Sequence, residues 1–127
     1  MIRIYTTQYF QIKELDQLVE LFSNIFVNSY DGLFVCDKDG YPLLFNDALL
    51  KITGWTADFI NSYGSVFSLE ESGFLKNSPS INAIRTKKTN SSIVDYATGK
   101  KAVVTATPVL DQNQNVLYVV TNVRDVT

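Results

Sequence analysis

The sequence predicts an α+β domain with a five-stranded antiparallel sheet, short helices on one face of that sheet and an N-terminal amphipathic helix. Three observations predict this class. Apolar residues before residue 30 have helical spacing, two short strand patterns follow residue 32, and β-branched residues dominate the chain after residue 90. Groups of strands on either side of a helical segment are typical of α+β folds, because the strands join one sheet and the helices cover it.

The composition is that of one folded domain. The 127 residues are 46% hydrophobic and 19% charged, and a chain of this length buries about two-thirds of its unfolded surface. It has neither a run of ~20 apolar residues that could span a bilayer nor the pattern of a secretory signal, so we expect no membrane contact and a cytoplasmic location. We expect a lead-in at residues 1–13 and a single domain at 14–127, with a helix at 14–29 and a core at 31–127.

Composition also argues against several kinds of chemistry. The absence of histidine excludes a histidine base, a His-activated nucleophile and a His-ligated haem or zinc. The net charge of −2 and the scattered cations argue against direct nucleic-acid binding. Asp37 and Asp39 fit turn chemistry better than a metal site. We expect no enzymatic activity. The alternative is a small α+β enzyme with an apolar pocket in which Asp95 acts as the general base.

Residues 14–29 have the i, i+3, i+4, i+7 spacing of an amphipathic helix with a wide apolar stripe. Two interpretations remain open, because such a stripe can cover the domain's own sheet or meet a second copy in a two-fold dimer. In the second interpretation the protein is a homodimer that associates through this helix. Its interface residues would be Leu15, Leu18, Val19, Phe22, Ile25 and Phe26.

The next segment predicts two strands, at residues 33–36 and 41–45, joined by a hairpin turn at 37–40. Pro42 cannot donate a backbone hydrogen bond, so it should lie at the start of its strand or on a sheet edge. Two strands are too few to be stable alone. We therefore expect them to join the strands at the end of the chain.

The middle of the chain predicts several short helices, because it contains residues that commonly begin or end them. The predicted starts and stops are Asn46 as an N-cap, Gly54 as a C-cap, Thr56 as the cap of a turn, Ser68 with Glu71 as a capping box, and Ser78 before Pro79 as the start of the last helix.

Residues 91–127 predict three strands, with turns at Gly99 and at residues 111–115. Alternation along a strand places every second side chain on the same face. Counted from Ile93, it directs Asp95 toward the interior, where a carboxylate could orient a ligand. The alternative is a solvated residue at the end of a strand.

Seven short motifs occur in a fixed order over about 110 residues. They are Tyr30-Asp31-Gly32-Leu33, Asp37-Lys38-Asp39-Gly40, Phe45-Asn46, Ile52-Thr53-Gly54-Trp55, Thr98-Gly99-Lys100-Lys101, Thr107-Pro108-Val109 and Val123-Arg124-Asp125-Val126-Thr127. In these motifs the chain resembles a PAS domain, the ligand-sensing module of bacterial signalling proteins. It is most similar to PAS domains of transcription activators that work with the alternative sigma factor, or of sensor histidine kinases.

The resemblance implies an apolar cavity that binds a small ligand. The candidate cavity residues are Phe34, Cys36, Phe45, Asp95, Val104, Ala106, Val119, Thr121 and Val123. It also implies that Asp125 and Thr127 pass a signal to an output domain, so that the chain would be part of a longer protein. The alternative for Cys36 is a small buried core residue, and the alternative for the domain is a ligand-free dimerisation module.

The resemblance leaves the cofactor unknown. PAS photoreceptors that form a flavin–cysteine bond carry a cysteine on the helix expected here at residues 63–69, and this chain has none there. Haem-binding members use a histidine, which is absent. We therefore expect neither a His-ligated haem nor cysteinyl-flavin chemistry, whereas a non-covalent flavin near Trp55 remains open.

Overall fold

The computed structural model describes residues 5–127, so the first four residues of the predicted lead-in lie outside it. Five helices and five strands follow one another in the predicted order. The helices are α1 (Leu15–Asn28), α2 (Asp47–Thr53), α3 (Ala57–Ser62), α4 (Val66–Glu71) and α5 (Pro79–Thr86). The strands are β1 (Gly32–Asp37), β2 (Pro42–Phe45), β3 (Asn90–Asp95), β4 (Lys101–Leu110) and β5 (Val116–Asp125).

The strands form one antiparallel sheet in the order β2-β1-β5-β4-β3, which confirms the predicted α+β class. The last strand, β5, lies at the centre of the sheet between β1 and β4. Its Thr121 pairs with Phe34 of β1 and with Ala106 of β4. Pro42 begins the edge strand β2, as its missing donor predicts.

Helix α2 begins and ends at the predicted residues. The Asn46 side chain accepts a hydrogen bond from the backbone of Leu49, and Gly54 ends the helix with a positive φ of 78°. The helix lies close to the sheet because β1 begins with a glycine: a Cβ at Gly32 would be 2.8 Å from Leu49 Cα. The predicted caps of α3 and α5, Thr56 and Ser78, are also confirmed.

The predicted capping box at Ser68 is wrong. Helix α4 instead begins after Ser65, whose hydroxyl accepts the backbone N–H of Ser68. Gly64, with a φ of 89°, reverses the chain after α3, so the next helix begins at once. Ser68 therefore lies inside the helix.

Helix α1 has nearly the predicted bounds, but it buries none of its side chains fully. Leu15 is 73% exposed and Ile25 is 57% exposed. One side of the helix forms a shallow apolar groove with Leu44 of the edge strand β2. Most of the apolar stripe thus remains open after folding.

The core lies between the inner face of the sheet and helices α2 to α5. Ile60 and Ile81 from the helices and Ala102 and Ala106 from β4 are inaccessible to solvent. The small alanines leave room for α5, which packs against β4. Within residues 5–127, no helix combines the length and apolar character needed to cross a membrane.

Candidate ligand-binding site

An apolar cavity of about 70 Å³ lies between the inner face of the sheet and the helices. Four strands contribute to its wall through Phe34 on β1, Val94 on β3, Val104 on β4, and Thr121 and Val123 on β5. The rest of the wall consists of Leu49, Trp55, Tyr63, Val66, Leu75, Lys76, Ser78, Pro79, Ser80 and Tyr96. The cavity therefore lies where a PAS-like sheet and its helices were expected to enclose one.

Four of the predicted ligand-contacting residues lie on this wall: Phe34, Val104, Thr121 and Val123. Alternation along β4 and β5 places the last three on the inner face of the sheet, because side chains two residues apart point to the same side. Their position beside the cavity is thus observed. Their contact with a ligand stays a prediction.

Four other predicted residues do not lie on the wall, which corrects the predicted site. Cys36, Ala106 and Val119 are fully buried in the core, and Phe45 packs against the core while partly buried. Alternation identifies the inner face of a strand but not the places where a helix rests directly on it. Here α5 packs against β4 and β5, and filled core replaces free volume beside Ala106 and Val119.

Cys36 is a buried, neutral thiol. Burial raises the pKa of Cys36 to about 12, with a smaller contribution from the charge of Asp37. The reactive form of a cysteine is the thiolate, which this environment disfavours near neutral pH. The surroundings favour the interpretation of Cys36 as a small apolar core residue.

Asp95 faces away from the cavity, so its predicted direction is wrong. Strand β3 exposes both Ile93 and Asp95, whereas Val94 between them lines the cavity. The Asp95 carboxylate lies at the surface, 3.9 Å from the ammonium group of Lys101. The prediction failed because it assumed that an apolar Ile93 must point inward, although single exposed apolar residues are common on protein surfaces.

The wall also carries the aromatic residue Tyr63, which the sequence analysis did not assign to the site, beside Trp55, which it considered only as a neighbour of a flavin. Trp55 lies 6.1 Å from Tyr96 and 5.8 Å from Phe59, measured between ring centroids. Phe59 in turn meets Tyr63 edge-on at 5.2 Å. The spacing of Trp55, Phe59 and Tyr63, four residues apart, was a sequence signal for a shared aromatic face.

The wall has few polar groups. The hydroxyls of Ser80 and Thr121 are buried and bond to each other at 2.8 Å. Tyr63 Oη is buried too, and among residues 5–127 it has no hydrogen-bond partner. Burial raises the pKa of Tyr96 to about 12 and places the pKa of Tyr63 well above its usual range. Both phenols therefore remain protonated near neutral pH.

An open groove of about 640 Å³ adjoins this cavity on the outside. The two spaces share the residues Trp55, Leu75, Lys76, Val94 and Tyr96. Among the residues of the inner wall, only Lys76 carries a charge, and it is exposed. The shared side is therefore a short path between the cavity and solvent.

The end of β5 is fastened to the beginning of β4. The Asp125 carboxylate accepts hydrogen bonds from the hydroxyl and the backbone N–H of Thr127, at 2.6 and 2.9 Å, and from Lys100 Nζ at 3.1 Å. These donors, led by the Thr127 hydroxyl, lower the pKa of Asp125 to about 2. The backbone N–H of Lys101 donates to the Thr127 hydroxyl. Residues 125–127 thus form a closed turn.

Solved structures with the same architecture include a PAS domain and a domain of a sensor histidine kinase. A PAS domain from Colwellia psychrerythraea is 15% identical, with a TM-score of 0.58 over 87% of this chain and 98% of that one. A domain of a sensory box sensor histidine kinase/response regulator from Geobacter sulfurreducens is 17% identical, with a TM-score of 0.60 over 89% of this chain and 98% of that one. The chain has the PAS fold.

A longer structure shares this PAS fold. An RNA-binding light-oxygen-voltage receptor is 17% identical, with a TM-score of 0.65 over 100% of this chain. This chain spans 37% of that receptor's length. No family model matches the sequence, and the comparison with curated proteins also found no match.

The observed cavity does not fit a large PAS cofactor. Pockets for drug-sized ligands typically measure about 300–1,000 Å³, several times the 70 Å³ found here. A non-covalent flavin would require the wall around Trp55 to move outward. Within residues 5–127, no group of three or more His, Cys, Asp or Glu side chains could hold a metal ion.

Proposed function

We propose that this PAS domain senses a small molecule in its cavity and passes the resulting change through β5 to an output domain. The observation that carries the proposal is the continuity of β5. Thr121 and Val123 line the cavity, and Asp125 begins the closing turn on the same strand. A sensory role is supported by the related fold in the Geobacter sensor kinase and in the light-oxygen-voltage receptor.

The relay needs only a small movement. Val123 and Asp125 are two residues apart, which is about 7 Å along an extended strand. A ligand that displaces Val123 can therefore shift the attachment of Asp125 to Lys100. Such a shift changes the output only if the ligand binds one arrangement of the strand more tightly than the other.

The output domain would belong to the same longer chain, in a cytoplasmic transcription regulator or a sensor kinase. The PAS domain itself would have no catalytic activity. Its buried polar wall groups are the hydroxyls of Ser78, Ser80 and Thr121 and the protonated phenol of Tyr63, which supply no general base near neutral pH.

The relay is tested by Asp125→Asn and Thr127→Val in the full-length parent protein. Both changes weaken the closing turn at an exposed position, so signalling should be uncoupled while the free energy of unfolding falls by about 1 kcal/mol or less. The measurement is output activity with and without the signal, together with urea unfolding of the isolated domain.

Asp111→Asn is the matched control. Asp111 Oδ1 accepts the backbone N–H groups of Asn113 and Asn115 at 2.8 and 3.0 Å in an exposed turn, but this turn joins β4 to β5 and does not leave the domain. Its replacement should leave signalling intact. Normal signalling in the Asp125→Asn variant, or an equal loss in the control, would contradict the relay.

A second candidate function is dimerisation without a ligand. The exposed apolar stripe of α1 favours this function, because a monomer would leave Leu15, Val19, Phe22 and Ile25 in water. We propose that the stripe contacts the same stripe of a second copy in a two-fold dimer. Native mass spectrometry of freshly purified protein separates the two functions: a retained small molecule supports sensing, and a dimer without one supports dimerisation alone.

A further inference from the structure

We propose that the cavity binds a small uncharged molecule with an oxygen acceptor, such as a short ketone, aldehyde, ester or alcohol, through a hydrogen bond donated by Tyr63 Oη. The inference rests on the proposed sensing function and adds the class of ligand. It follows from the size of the cavity, from the buried Tyr63 hydroxyl, which has no hydrogen-bond partner among residues 5–127, and from a wall whose only charged residue, Lys76, is exposed.

The size of the cavity limits the ligand. A buried apolar cavity of about 150 Å³ binds benzene, which has six carbon atoms. The cavity beside Tyr63 has about half that volume. It therefore fits a molecule of roughly three to six non-hydrogen atoms, with the larger ones reaching toward the outer groove.

Tyr63 determines which polar group the ligand carries. A buried hydroxyl without a partner is costly, and such groups are rare in folded proteins. The other three buried hydroxyls on the wall already have partners: that of Ser78 accepts the backbone N–H of Ile81, and those of Ser80 and Thr121 bond to each other. A ligand oxygen that accepts from Tyr63 Oη would satisfy the remaining donor without breaking that pair.

The charge of the wall excludes an ionised ligand from the inner space. An ion moved into an apolar cavity loses its hydration, and it needs a charged partner there to compensate. Tyr63 and Tyr96 remain neutral because burial raises the pKa of each phenol. The ammonium group of Lys76 belongs to an exposed side chain at the rim, which the outer groove shares.

The test compares two probes in the purified domain. 2-Butanone carries a carbonyl oxygen, whereas xenon fills apolar cavities without accepting a hydrogen bond. Binding of each is followed by the methyl NMR signals of Val104 and Val123, which lie on the wall. Tyr63→Phe removes only the hydroxyl, so 2-butanone should bind about tenfold more weakly while xenon binding stays unchanged.

Tyr96→Phe is the matched control, because it removes another hydroxyl from the same wall. It should change the binding of 2-butanone by less than about twofold. Tyr63→Phe should unfold at the same or a higher urea concentration than wild type, since it deletes an unpaired buried group. Urea unfolding of Tyr63→Phe therefore shows whether weaker binding of 2-butanone comes from the lost hydroxyl or from a loss of the fold.

Several outcomes would overturn the inference. These are equal binding of 2-butanone to wild type and Tyr63→Phe, a parallel loss of xenon binding, no binding of either probe, or only a buried water beside Tyr63. A larger or charged ligand retained in native mass spectrometry would also overturn this ligand class while supporting the sensing function. Normal signalling in the Asp125→Asn variant would instead contradict the proposed relay through β5 and leave the probe result standing.

Discussion

Asn46 uses its whole side-chain amide in four hydrogen bonds. Its oxygen accepts the backbone N–H groups of Leu33 and Leu49, at 2.9 and 3.1 Å. Its nitrogen donates to the carbonyl oxygens of Phe26 and Asp31, at 3.0 and 3.1 Å. The side chain is only 5% exposed. Asn46 therefore caps α2 and also fastens the end of α1 and the start of β1 to it.

Replacing Asn46 by Asp keeps the hydrogen bonds that its side-chain oxygen accepts and removes those that its nitrogen donates. An aspartate caps a helix as well as an asparagine, so the bonds from Leu33 and Leu49 remain. The carbonyl oxygens of Phe26 and Asp31 lose their donor and face a carboxylate instead. We expect Asn46→Asp to lower the free energy of unfolding by about 2 kcal/mol or more, measured by urea denaturation.

Asn113→Asp is the control for this change, because Asn113 lies exposed in the turn before β5. The same chemical change there should alter the free energy of unfolding by no more than about 0.5 kcal/mol. If both variants were equally stable, the donor bonds of Asn46 would contribute nothing to the fold.

The cap at Asn46 could be predicted from the sequence, but its two donor bonds could not. A cap is a local interaction, between Asn46 and a residue three positions later. The bonds to Phe26 and Asp31 span 20 and 15 residues and depend on how α1 reaches the sheet. For the same reason the buried, unpartnered hydroxyl of Tyr63 could not be predicted, because its surroundings depend on residues that are distant in sequence.

Helix α1 could be predicted from its periodicity, whereas its packing could not. Periodicity fixes which residues share a stripe but not what covers the stripe. The structure shows that the domain's own sheet covers little of it: Val19 and Phe22 remain exposed, and only Leu44 of β2 completes the groove. The prediction for β3 failed in a similar way, since a single apolar residue, Ile93, did not fix which face was buried.

A charge on the α1 stripe should dissociate the proposed dimer. In a two-fold interface, Phe22→Glu removes two buried aromatic rings and brings two carboxylates together. Burying one Phe side chain contributes about 1.5–3 kcal/mol, so dimer affinity should fall at least about a hundredfold. Sedimentation equilibrium measures the effect, and the unfolding free energy of the isolated monomer should change little.

Asn24→Glu provides the control on the same helix. Successive helical residues are about 100° apart, so Asn24 lies on nearly the opposite side from Phe22 and introduces the same charge change. The dimer should persist in this variant. A wild-type protein that is monomeric at high concentration, or dissociation by both variants, would contradict an interface on the stripe.

The order of the strands gives the domain an uneven distribution of stability. Strand β5 is the last of the five strands in sequence order, yet it pairs with β1 and β4 on both sides and contributes Val119, Thr121 and Val123 to the interior. Helix α1, at the other end of the sequence, buries no side chain fully. The strand composition predicted one antiparallel sheet, but the central place of β5 depends on contacts between distant segments and was not predicted.

Amide hydrogen exchange should reveal this difference directly. Residues 119–123 can exchange only when the sheet opens, so their opening free energy should equal the global free energy of unfolding. Amides of α1 should exchange at an opening free energy at least about 2 kcal/mol lower in dilute protein, because few tertiary contacts hold the helix. If α1 pairs with a second copy, raising the protein concentration should protect α1 and leave β5 unchanged, since the dimer binds through α1 alone. Equal protection of α1 and β5 in dilute protein would instead mean that the helix is an integral part of the folded monomer.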